Sequence, residues 1–376
     1  MSFRVMSTMV LCAGLLAPAP AQTPGTTKDD EDVVKAGRED PFTKNDPKAM
    51  EALGVLSYGP LPWADSLRTT DLEKVLGEGR ILWLETAHFR IGCNLGTTQI
   101  PADPDARKQV TAELQQLRKK WSKMPSRASK LEPWLRLHLY ALRAETLYAD
   151  FASLVAHTDK PPSCLGQDDK FLILLFQRKS DLARYLDRFC GVQSTQSMRH
   201  YHDKSRQIVV AITAEGEEIR DEAQVHAQFR FLLVQSFQQA LGGTPYWLSL
   251  GLAHLYEREI PTNLLNVPIK DDESVDPMTQ HLWREKLRAR VPRESLVIPF
   301  RDLCGSTDLG YWANLQAWSR VDYLLSLDRA KFGEFFNGCC GGFSSSRQHE
   351  LLEKVYAMDA DTFDERWRAW VVKTYK

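Results

Sequence analysis

The sequence predicts an α+β fold: a small sheet set among helices, with a mostly helical C-terminal half. Three observations predict it. Short, apolar, β-prone runs occur at 81–93, 170–177 and 206–213, and none follows. Patterns of helical length and period lie between these runs and then fill the chain from 217 to 374. Net charge is −1, with 43% hydrophobic residues and ten Trp, which describes a globular chain. No charge excess points to nucleic acid or to an anionic membrane.

The elements follow in order. Residues 1–21 read as a signal peptide: Arg4, an apolar run over 6–16, then Ala19-Pro20-Ala21, with cleavage expected after Ala21. Leu11 before Cys12 argues against a lipoprotein signal. No later stretch reaches the about 18 uninterrupted apolar residues of a membrane span, so no transmembrane segment is expected after cleavage. Residues 22–50 are charged and poor in apolar groups and read as a disordered polar leader. Residues 51–160 are expected to form an N-terminal unit of strand and long helices. Its helices are placed at 104–123 and 129–156, the second with a broad apolar face from Trp134 to Leu147.

Residues 161–376 are expected to form the second unit. It begins with the strand at 170–177, a helix at 180–190 opened by Ser180, and the strand at 206–213. A long helix over 217–241 stops at Gly242-Gly243, and a second starts near Pro245 and ends before Pro261. Further helices are placed at 277–290, 311–327, 329–337, 346–357 and 360–374. Six cysteines remain after the signal: Cys93, Cys164, Cys190, Cys304, Cys339 and Cys340. An even count in an exported chain suits disulfides, so at least one is expected, with the pairing left open. Adjacent Cys339 and Cys340 would bridge each other only with strain.

The stretch FLLVQSFQQALGGTPYWLSLGLAHLYE (231–257) carries a resemblance. Ala240-Leu241, Trp247-Leu248-Ser249, Gly251-Leu252-Ala253 and Tyr256 resemble the two central helices of the peptidase MA-like, gluzincin group of zinc metallopeptidases. The upstream 170–189 and the tail at 311–336 and 361–375 resemble that group more diffusely. The resemblance implies a zincin-like fold, a bacterial envelope origin, and a site made by His-Glu-x-x-His on the first helix and a Glu on the second. At those positions stand Gln235 and Gln239 for the two His, Ser236 for the general base and Leu250 for the third ligand.

Gln235 and Gln239 share a helix face, as a metal site needs. A carboxamide is a poor zinc ligand, though, Leu250 ligates nothing, and Ser236 has no basicity near neutral pH. The reading is therefore a pseudo-metallopeptidase: exported to the periplasm or beyond, with no catalytic residues, no cofactor and no resident metal. Its cleft, lined by Gln235, Ser236, Gln239, Leu250 and His254, would bind a peptide or an envelope protein. Two alternatives stand beside it. One is an active zinc hydrolase with a displaced site, using His254, one turn after Leu250, or the pair His200 and His202, whose spacing puts both on one side of an extended segment. The other is a structural envelope interaction protein. Ser249 lacks the first glycine of a nucleophile elbow, and GCCGG at 338–342 lacks the Lys of a phosphate loop.

Overall fold

Uninterrupted apolar runs form the centre of the fold, because a strand covered on both faces has no solvent side to alternate toward. The computed structural model describes residues 28–376 except 160–163, 203, 217, 218, 220, 265, 271, 272 and 277. The expected signal peptide lies outside them. The strands are β1 (Leu82–Glu85), β2 (Phe89–Cys93), β3 (Thr98–Gln99), β4 (Lys130–Leu131), β5 (Phe171–Phe176), β6 (Met198–Tyr201) and β7 (Ile208–Thr213). Five of them make a mixed sheet in the order β1-β2-β5-β7-β6. Its three central strands are parallel and its two edges antiparallel. β3 and β4 form a separate two-stranded ribbon.

The helices are α1 (Lys28–Ala36), α2 (Pro47–Leu53), α3 (Thr69–Leu76), α4 (Pro104–Lys120), α5 (Pro133–Leu154), α6 (Lys179–Tyr185), α7 (Glu222–Ala240) and α8 (Tyr246–Glu257). They continue with α9 (Trp283–Arg290), α10 (Phe300–Gly305), α11 (Tyr311–Leu327), α12 (Arg329–Cys339), α13 (Ser345–Tyr356) and α14 (Ala360–Thr374). The result is a mixed α+β fold with a small sheet and many helices. No helix among the described residues is long and apolar enough to cross a membrane.

The two faces of the sheet have different covers. Phe171, Ile173, Leu175, Ile208, Val210 and Ile212 join the main core with residues of α5, α7, α8 and the C-terminal helices. Leu172, Leu174, Phe176, Val209 and Ala211 join a smaller core with α3 and α6. The main core runs across the boundary expected at 160/161, and β2 pairs in parallel with β5 across it.

The reading of 22–50 as disordered is corrected for 28–50. α1 and the start of α2 lie there, Val33 is buried, and Asp40 is fully buried. The Asp40 carboxylate accepts from the Thr43 hydroxyl at 2.6 Å and the Tyr58 hydroxyl at 2.7 Å, and meets His138 Nε2 on α5 at 3.0 Å. Composition misread this segment because a buried polar network anchors it alongside a few apolar residues such as Val33 and Phe42. Residues 22–27 lie outside the described part. Among the described residues no two cysteines sit at disulfide distance, and Cys93, Cys164, Cys304 and Cys339 are buried. Burial pushes the Cys93 thiol up to about 11 and the Cys339 thiol up to about 12, which makes them poor nucleophiles at neutral pH.

Candidate functional site

α7 starts at a capping box. Asp221 accepts from the Gln224 N–H, and the Gln224 side chain accepts from the Asp221 N–H. One residue later, Glu222 is held by two guanidiniums from α5, Arg136 at 2.6 Å and Arg143 at 2.7 Å. Burial alone would raise the Glu222 pKa. The two arginines outweigh it and hold the carboxyl below its ordinary value. This clamp fixes α7 against α5. α7 ends at Gly242 and Gly243, whose φ values of 96° and 77° favour glycine, and α8 returns antiparallel. Gln238 Nε2 donates to the Ser249 carbonyl, Phe231 packs on His254, and Arg230 Nε donates to the Tyr256 carbonyl. That register sets Gln235 level with residues 250–251.

Most of the residues that carry the resemblance are interior, while Ala240, Leu241 and Ser249 are half-buried. Trp247, Leu248, Leu252, Ala253 and Tyr256 are buried, and Trp247 Nε1 donates to Gln348 Oε1 on α13 at 2.8 Å. Gly251 is where α8 meets α11: a Cβ there would lie 2.7 Å from the Ala317 carbonyl oxygen.

Gln235 and Gln239 open onto a cavity of about 250 Å³ between α7, the start of α8, β6 and the end of α10. The other cleft residues do not line it. Ser236 is fully buried, and its hydroxyl donates back to the Leu232 carbonyl at 2.9 Å. Leu250 is 7% exposed and belongs to the core. His254, expected to face the cleft, is fully buried away from it. Its Nδ1 meets Glu257 Oε2 at 2.7 Å, its Nε2 meets Asn314 Oδ1 at 3.1 Å, and its ring lies against Phe231 and Trp283. One turn beyond Leu250 it follows the buried face of α8, whereas Tyr246 and Ser249 reach the cavity.

His200 and His202 do share a side, and it is the far side of the sheet. His200 pairs with Val209, whose side chain belongs to the α3/α6 core. His202 is buried, with Nε2 2.8 Å from the Tyr185 hydroxyl and Nδ1 3.6 Å from Asp65. The sheet separates this pair from Gln235, and His254 joins neither set. Among the described residues, no group of three His, Cys, Asp or Glu is placed to hold a metal ion.

The residue that dominates the cavity was not read from the sequence: Arg199. It pairs with Val210 on the main-core face, opposite in phase to His200, so it projects toward α7. Its Nε donates to Gln235 Oε1 at 3.3 Å. Burial lowers the guanidinium's pKa from its ordinary value, with Tyr201 and Tyr246 acting in the opposite direction. The signal was present: if His200 and His202 face one side of an extended segment, Arg199 faces the other.

The chain matches no known protein-family model, and none of the curated proteins compared matches it.

Proposed function

We propose that this chain is an exported, zincin-like protein without peptidase chemistry, whose cleft binds a ligand and does not cleave it. The observation that carries the reading is the Arg199–Gln235 contact. At the position where a metallopeptidase of the resembled group has its first zinc ligand, this chain has a carboxamide oxygen already facing a guanidinium. A fixed positive charge beside a ligand position repels a divalent cation and neutralises nothing that the cation would need. Ser236 supports the same reading, since its hydroxyl is committed to the helix backbone. The antiparallel register of α7 and α8, with Gln235 level with Leu250, supports the zincin-like frame on which the positions were assigned. A peptide is the natural occupant of such a cleft.

The test is metal content and zinc titration of the mature, untagged chain. Substoichiometric metal that does not rise after incubation with zinc is expected. Stoichiometric zinc would overturn the reading, and His254, His200 and His202 would be the first residues replaced.

A further inference from the structure

The cavity beside Gln235 has a charge balance that selects its occupant. Among the described residues that line it, Arg199 is the one charged side chain. It makes no ion pair with any described carboxylate, and its one hydrogen bond to a described residue, through Nε, leaves both terminal amino groups without an acceptor among the described residues. Gln238 is already engaged with Ser249 and Thr244. Gln239, Ser249 and Thr307 border the cavity with side-chain donors that bond no described residue. The uncapped N-terminal end of α8 borders it too, adding partial positive charge, and the shorter α10 opposes it with its C-terminal end. A half-buried guanidinium with no described carboxylate partner, beside side-chain donors that bond no described residue, is suited to an anionic acceptor.

We propose that this cavity binds a monocarboxylate, in the form of the C-terminal carboxylate of a peptide. This deepens the binding reading above and rests on it. One guanidinium balances one negative charge, whereas a phosphate carries about −1.5 to −2 near neutral pH and would stay under-neutralised here. The planar fork of Arg199 matches a carboxylate bidentately. Phe343 and Tyr246, 58% and 41% exposed at the rim, offer aromatic surface to the side chain next to the carboxylate. At about 250 Å³ the cavity is smaller than the roughly 300–1,000 Å³ of sites that enclose a whole drug-sized ligand. It therefore takes one terminal residue, with the rest of the peptide lying outside.

The experiment is calorimetric or ligand-observed NMR titration of the full mature chain with N-acetyl-phenylalanine, its C-terminal amide and inorganic phosphate, each to millimolar concentration. The acid is expected to bind, and the amide to bind at least about tenfold more weakly, as loss of a charge-assisted hydrogen bond predicts. Arg199→Gln is expected to abolish the preference for the acid, and Arg199→Lys to keep part of it. Phe343→Ala is expected to weaken acid and amide alike. Melting curves of each variant separate loss of binding from loss of fold. Equal affinity for acid and amide, tighter binding of phosphate than of the acid, no binding of any probe, or an unchanged preference in a folded Arg199→Gln protein would each overturn the proposal. Zinc content, measured on the same sample, reports separately on the non-catalytic reading.

Discussion

Glu222→Gln isolates the clamp that orients the site-bearing helix. The wild-type carboxylate is fully buried and bridges Arg136 and Arg143, whose side chains are each 3% exposed. The amide can accept one of the two hydrogen bonds but carries no charge. Arg143 keeps Glu113 at 2.9 Å. Among the described residues, Arg136 keeps only the Gly96 carbonyl at 2.7 Å, and its Nε has no partner there. The variant thus leaves one buried guanidinium without a counter-charge, a change that costs about 3–5 kcal/mol. With an unfolding entropy near 2.1 cal/mol/K per residue, this becomes a fall in melting temperature of about 4–6 °C for a chain of this length. Differential scanning calorimetry at pH 7 measures it. The effect has a defined pH dependence. The folded pKa of Glu222 is depressed, so its contribution is present in full above the unfolded value of about 4.3 and is lost as pH falls through the folded value. The gap between wild type and variant should therefore close on acidification below about pH 4. Glu113→Gln, at a carboxylate 14% exposed that pairs with Arg143 and lies 3.9 Å from His226 Nδ1, should cost less. A drop below about 1 °C for Glu222→Gln, or a gap that does not shrink in acid, would refute the reasoning.

Other expectations follow from the same geometry. Gly251→Val sets a Cβ 2.7 Å from the Ala317 carbonyl oxygen; it should separate α8 from α11 and cost about 1–3 kcal/mol as overpacking, read by urea unfolding. Asp40→Asn should destabilise by about 1–3 kcal/mol and open the 28–50 segment to limited proteolysis, since His138, Thr43 and Tyr58 converge on that carboxylate. The triple change Gln235→His, Gln239→His and Leu250→Glu, combined with Arg199→Gln, should bind zinc where wild type does not. If calorimetry finds no zinc on a folded quadruple variant, the assignment of those positions is wrong.

Much of the backbone was legible because it is built from long patterns. α11 and α14 occupy the expected 311–327 and 360–374, and the three strand runs all entered the sheet. The elements that escaped are short or half-polar. α10 has six residues and cannot display a helical period. β6 is an edge strand whose four residues are each partly exposed, so MRHY reads as loop. The 28–50 segment is tied down by one carboxylate whose partners lie up to 98 residues away.

The site shows the same division. The helix pair could be read because its packing residues are contiguous, whereas its electrostatics could not, because Arg199 is 36 residues from Gln235 and reaches it through a sheet edge. A reading from 231–257 alone sees only what is missing: two imidazoles and two carboxylates. The structure adds the charge of Arg199 beside Gln235. A cavity whose described lining has no carboxylate and one half-buried guanidinium has the polarity of an anion receptor. On the proposed reading, Gln, Ser, Gln and Leu at positions where the resembled group has His, Glu, His and Glu, with Arg199 beside them, would make this site carry a positive charge where that group holds one.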